Sequence, residues 1–73
     1  MTSRSERARQ RAAWFARREH QLAEHLYMAH SVVGELEAVG RWSPAVAASI
    51  TASLDDLARK AGVFDAYERM LKP

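Results

Sequence analysis

Apolar residues recur along the first half of the chain at alternating spacings of four and three. The stripe runs through Ala8, Ala12, Phe15, Leu22, Leu26, Ala29, Val33 and Leu36, with Glu19 its one polar interruption. That period places the positions on one side of an α-helix. No Pro falls within residues 4–39, the one Gly is Gly34, and Ala, Arg, Glu and Leu, all good helix formers, dominate. The pattern predicts a single long helix over residues 4–39. Val32 and Val39 widen the stripe towards its C-terminal end. Trp14, Tyr27 and Met28 fall off it, so they are expected to form a second contact surface or to stay partly exposed.

The boundaries carry their own signals. Ser3 and Glu6 have capping-box spacing, so the helix should begin at Arg4 behind a frayed residues 1–3. Gly40 reads as a left-handed C-cap and Arg41-Trp42 as a turn. Ser43-Pro44 restarts the chain as N-cap and first helical residue, with Trp42 placed to staple onto Ala47. Ala47, Ile50, Leu54, Leu57 and Ala61 then define a second helix over residues 44–61. Ala48, Ser49, Thr51, Ala52 and Ser53 around them are small enough for a neighbour to approach closely. Gly62 reads as a second C-cap with Val63 folding back on it. A third helix over residues 63–72 puts Phe64, Tyr67 and Leu71 on one face, and Pro73 follows it.

The fold class is therefore all-α. A short turn makes the first two helices an antiparallel hairpin. Leu36 should meet Ala47, Val33 should meet Ile50, Ala29 should meet Leu54, and Leu26 should meet Leu57. The predicted core centre is Leu26, Val33, Leu36, Ile50, Leu54 and Leu57. At ~1.5 Å per residue the first helix would be roughly 54 Å long and the second roughly 27 Å. Phe15, Ala12 and Ala8 are left without a partner from the second helix. Two coverings are expected together. The third helix would continue along the first, bringing Phe64 and Tyr67 to Phe15, and Asp65 and Glu68 to Arg17 and Arg18. Two chains would also pair into a helical bundle. The remaining arrangement leaves the N-terminal half free until a partner binds.

Composition narrows the classes. The chain has 73 residues, which is one small helical domain at most. Chains this short bury only about 60% of their unfolded surface. There is no Cys, hence no disulfide and no thiolate metal site. An apolar fraction of 48% is too high for a disordered chain. No apolar run is long enough to span a bilayer, and no apolar segment follows the basic N-terminus as in a secretory signal. The expected compartment is the cytoplasm. Nine Arg against two Lys, with abundant Ala and no Asn, fits a GC-rich bacterial or phage genome.

Charge changes the picture most. The net value of +2 hides a division. Residues 1–18 hold six Arg against one Glu, leaving +5. Residues 19–73 hold five basic and eight acidic residues, leaving −3. An acidic partner for the basic half is implied, whether nucleic acid, another protein or this chain's own acidic part. An Arg cluster also opposes the positive N-terminal end of a helix.

Candidate chemistry is sparse. His20, His25 and His30 are five apart, so successive rings rotate by about 140° and diverge, whereas paired ligands on a helix need spacings of three or four. His20 with Glu24 has that spacing, but two ligands are too few for a metal site. Ser43, Ser49, Thr51 and Ser53 lack an assignable base and orienting acid. Asp55-Asp56 diverge on a helix, and no Gly-rich phosphate loop is present. No enzyme, cofactor or metal is expected. The candidate partner-binding residues are Arg4, Arg7, Arg11, Trp14, Phe15 and Arg18. An interfacial membrane helix is disfavoured, because the apolar face of residues 4–18 is mostly Ala and buries little. The expected function is a non-enzymatic protein–protein interaction module, an accessory subunit, inhibitor or modulator, that docks through its long first helix or pairs with itself as a homodimer. The alternative is phosphate contact with nucleic acid through the Arg-rich half.

Overall fold

The computed structural model describes residues 3–73, and among them it contains three helices and no strand. Helix α1 spans Arg4–Ala38, α2 spans Pro44–Lys60 and α3 spans Phe64–Leu71. The expected all-α hairpin with a short third helix is what the chain forms. Fraying was expected over residues 1–3. Met1 and Thr2 lie outside the described residues, and Ser3 is ordered as the N-cap, its Oγ accepting the Glu6 amide at 3.2 Å.

Both interhelical turns are fixed by glycine. Gly40 and Gly62 have φ of 76° and 74°, a region that costs L-residues strain. At the first turn the Arg41 amide donates to the Leu36 carbonyl and the Gly40 amide to Glu37. At the second the Val63 amide donates to Ala58 and the Gly62 amide to Arg59. These paired bonds are the Schellman pattern, which satisfies carbonyls that the helix end would otherwise orphan. Ser43 caps α2 by accepting from the Val46 amide at 3.2 Å, with Pro44 at the first helical position. Gly34 leaves α1 unbroken.

The core is small and lies where α1, α2 and α3 meet. Ala23, Leu26, Ala58, Val63 and Tyr67 form its buried cluster, flanked by Tyr27, Leu54, Phe64 and Met70. Val33 and Ala47 are buried nearer the first turn. The predicted centre needs correction. Leu26 and Val33 are buried, but Leu36, Ile50 and Leu54 are only half-buried. Leu57 is 52% exposed, and Ala58 beside it is fully buried. On α1, Ala23 joins Leu26 in the buried cluster, although it lies off the predicted stripe. The predicted stripes suit two helices that face only each other. The third helix packs on a flank of both, so the buried arc rotates towards it.

Helix α3 does not continue along α1. It folds back over the hairpin, so that the Tyr67 ring lies 6.3 Å from His30 and 6.1 Å from Phe64, centroid to centroid. Neither Phe64 nor Tyr67 covers Phe15, and Asp65 and Glu68 do not pair with Arg17 or Arg18. Among the described residues the ion pairs are His20–Glu24, Lys60–Asp56 and Lys72–Glu68, each between residues four apart in sequence. The reversal has two causes. The Gly62 turn lets the chain change direction, and the Tyr67 hydroxyl finds a partner over the hairpin, donating to Asp55 Oδ1 at 2.7 Å. The molecule is consequently elongated, 58 × 19 × 19 Å. Its radius of gyration of 16.4 Å compares with about 11 Å for a compact chain of this length.

Candidate docking surface on the projecting arm

Helix α1 runs out of the hairpin as an arm. Every residue from Ser3 to Leu22 is exposed. The arm over residues 4–22 is about 28 Å long. At its base, the turn after α2 and the first turns of α3 lie beside it, where Gly62, Val63, Asp65, Ala66 and Arg69 share a shallow groove with Ala16, Glu19 and His20. Beyond Phe15 nothing from α2 or α3 accompanies it.

Helical geometry sorts the arm's side chains. At ~100° per residue, Arg4, Arg7, Arg11, Trp14, Phe15, Arg18 and Leu22 fall within an arc of about 100°. Arg9 and Arg17 lie outside it. All six predicted partner-binding residues are thus on one exposed side, facing away from the groove at the base. The structure draws Trp14, Phe15 and Arg18 into one cluster. The Trp14 and Phe15 rings meet edge-on at 5.3 Å, and the Arg18 guanidinium sits 5.8 Å from the Trp14 ring centroid. Arg18 also donates to Gln21 Oε1 at 2.9 Å. Arg4, Arg7 and Arg11 continue the same side towards the N-terminus. Trp14 and Phe15 are 50% and 49% exposed, a large apolar area for two adjacent side chains.

Sequence reasoning missed a second part of this surface. Tyr67 and Phe64 approach α2 at Asp55 and Arg59. Val46 and Leu57 lie about 140–180° round α2 from those residues, and both are exposed. Likewise Val32 and Met28 lie about 160° round α1 from His30, which faces Tyr67, and both are exposed. The hairpin therefore has one flank covered by α3 and an opposite apolar flank with no covering element among the described residues. Half-buried Ala29 and Leu36 connect that flank to Leu22 and the arm. The signal was present in Val46 and Val32, which widen the apolar faces, but it had meaning only once the side taken by α3 was known.

The electrostatics of α1 are divided along its length. Its first turns carry the +5 of residues 4–18, and residues 19–38 carry Glu19, Glu24, Glu35 and Glu37 with no Lys or Arg. Both ends oppose the helix dipole, which favours acidic groups at the start and basic groups at the end. No basic residue occupies the last turn. Among the described residues no ion pair involves an Arg.

The remaining polar groups have local partners. The Thr51 and Ser53 hydroxyls donate to helix carbonyls of Ala47 and Ser49, and Ser43 Oγ is committed to its cap. His20 meets Glu24 at 3.0 Å, and His30 packs edge-on to Tyr67. No group of three or more His, Asp or Glu is arranged for a metal ion among the described residues. Burial pushes the Tyr67 phenol above its usual range, and the hydrogen bond and negative charge of Asp55 push it the same way. No helix among the described residues is long and apolar enough to cross a membrane. No family model, curated protein or solved structure matches the chain.

Proposed function

We propose that this chain is a non-enzymatic helical module whose work is to bind another protein chain, a different protein or a copy of itself, with the exposed side of the α1 arm as its docking surface. One observation carries the reading. The apolar stripe that supplies Leu26 and Val33 to the buried interior runs on, without a break in the helix, into an arm where Phe15 and Leu22 are 49% and 39% exposed. A helix of this kind, isolated in water, draws little stability from propensity alone and depends on packing of its apolar face. A partner that covers Phe15 and Trp14 supplies that packing, and the flanking Arg residues select for acidic groups at its rim.

The test is recovery of tagged chain from its native host at low and high salt, beside the double variant Trp14→Glu, Phe15→Glu. The docking reading expects a protein that stays bound at high salt and is lost from the variant. A second reading is favoured by one observation, the alignment of Arg4, Arg7, Arg11 and Arg18 with Trp14. Such a stripe can hold phosphates while the indole stacks on a base. In that case recovery is nuclease-sensitive, and duplex binding falls with salt at a log–log slope of about −0.9 per phosphate neutralised.

A further inference from the structure

We propose that the occupant of this docking surface is a second copy of the chain, the two α1 helices lying antiparallel so that each arm covers the flank of its partner's hairpin opposite α3. The inference rests on the docking reading above and names its partner.

Charge sets the direction. Within α1, residues 4–18 carry +5 and residues 19–38 carry −4. Parallel pairing would lay like charges together. Antiparallel pairing lays the Arg-rich arm of each chain beside Glu24, Glu35 and Glu37 of the other, and opposes the two helix dipoles favourably. The charges that oppose the dipole within one chain become complementary between two.

Length fits the same arrangement. The arm takes 19 of the 35 residues of α1 and the hairpin portion takes the other 16. Rotation by 180° about a point near Gln21 therefore superposes arm on hairpin, with Arg7 close to the partner's Glu35 and Arg18 close to the partner's Glu24. A twofold pair of this kind is closed and self-complementary. The area also fits. The chain exposes 5762 Å², against about 4,500 Å² for a folded monomer of its mass. The excess of about 1,200 Å² per chain is more than the roughly 800 Å² per partner of a standard interface. Trp14, Phe15, Leu22, Val32, Val46 and Leu57 supply its apolar part.

The full chain is tested by sedimentation equilibrium at micromolar concentration and by spin labels on single cysteines, which the chain otherwise lacks. The expected particle has twice the 8.2 kDa chain mass. Labels in a Gln21→Cys dimer should lie close together, and labels in a Ser5→Cys dimer roughly 48 Å apart, given ~1.5 Å per residue along two antiparallel helices. The pair Arg7→Glu, Arg11→Glu should raise the dimer dissociation constant about tenfold or more, and adding Glu35→Arg, Glu37→Arg should restore it. Each of these changes improves the match of α1 to its own dipole, so lost helix cannot explain a weakened dimer. A monomer throughout, or a dimer with close Ser5→Cys labels, would overturn the proposal. A monomer whose arm amides gain exchange protection in host extract would overturn self-pairing and leave the docking reading standing. A monomer whose arm stays unprotected there would remove both.

Discussion

The two halves of α1 are written in the same three-four apolar pattern, yet they have opposite fates. In the hairpin half, Ala23, Leu26 and Val33 are buried. In the arm, Phe15 and Leu22 are 49% and 39% exposed, and the residues between them are exposed too. The aromatic residues repeat the contrast. Tyr67 is fully buried, its hydroxyl held by Asp55, while Trp14 has only Phe15 beside it and Arg18 over its ring. An amphipathic pattern is thus a requirement for a covering surface and does not say where that surface comes from. Half of α1 is satisfied by its own chain, through α2 and α3. The other half stays exposed among the described residues.

Substitutions can break this contrast if it is wrong. The largest effect is expected at Leu26, buried in the three-helix core. Leu26→Ala should lower stability by about 2–5 kcal/mol in a urea melt, as large-to-small changes in a core do. Phe15→Ala removes a larger side chain, yet in chain dilute enough to be monomeric it should cost no more than about 0.5 kcal/mol, the range of an ordinary surface change. Equal losses at the two positions would show that the arm is covered within its own chain.

Next comes Ala58, where the buried arc differs from the apolar stripe. Ala58→Leu should cost about 1–3 kcal/mol through overpacking against the Ala23 and Tyr67 cluster. Leu57→Ala, one position away, should cost well under that in the monomer, because its side chain is about half exposed. A larger loss at Leu57 would return the core to the face-to-face hairpin register.

The Tyr67 hydroxyl gives a sharper probe of how α3 is held. Tyr67→Phe keeps the ring and leaves half-buried Asp55 without its donor, which should cost about 1–3 kcal/mol at neutral pH. The phenol is raised in the fold, so its neutral form is the one the fold stabilises. That contribution is fully present below the unfolded value of about pH 10 and is lost as pH rises beyond it. The variant's deficit relative to the parent chain should therefore stay constant up to about pH 10 and shrink as the pH is raised beyond it. A deficit independent of pH would detach the hydroxyl from the stability of α3.

The smallest effect is expected on the arm's charges. Replacing Arg4, Arg7, Arg11 and Arg18 by Gln should change the stability of the monomer by no more than a few tenths of a kcal/mol, since exposed charges contribute little. Circular dichroism at low concentration reads this directly. A substantial loss would mean that these guanidinium groups already have partners within the chain.

Much of this molecule is determined by local sequence. The starts at Ser3 and Ser43-Pro44 and the stops at Gly40 and Gly62 depend on a hydroxyl three residues from an amide, or on a backbone angle only glycine adopts readily. Such signals act within one turn of chain, so the sequence alone determines three helices and two tight turns. The exposure of the predicted partner-binding side, Arg4, Arg7, Arg11, Trp14, Phe15 and Arg18, also follows from helical period and length mismatch. The path of α3 was decided by the tertiary structure. A Schellman turn at Gly62 permits several directions, and the choice rests on where Tyr67 can bury its ring and still donate to Asp55, twelve residues away. That choice set the rest. It drew Ala23 and Ala58 into the core and left Leu57 outside it, kept Asp65 and Glu68 from pairing with Arg17 and Arg18, and made one flank of the hairpin the uncovered one. A stripe of apolar residues spans more of a helix than one neighbour can cover, so which part is buried depends on where the other helices stand.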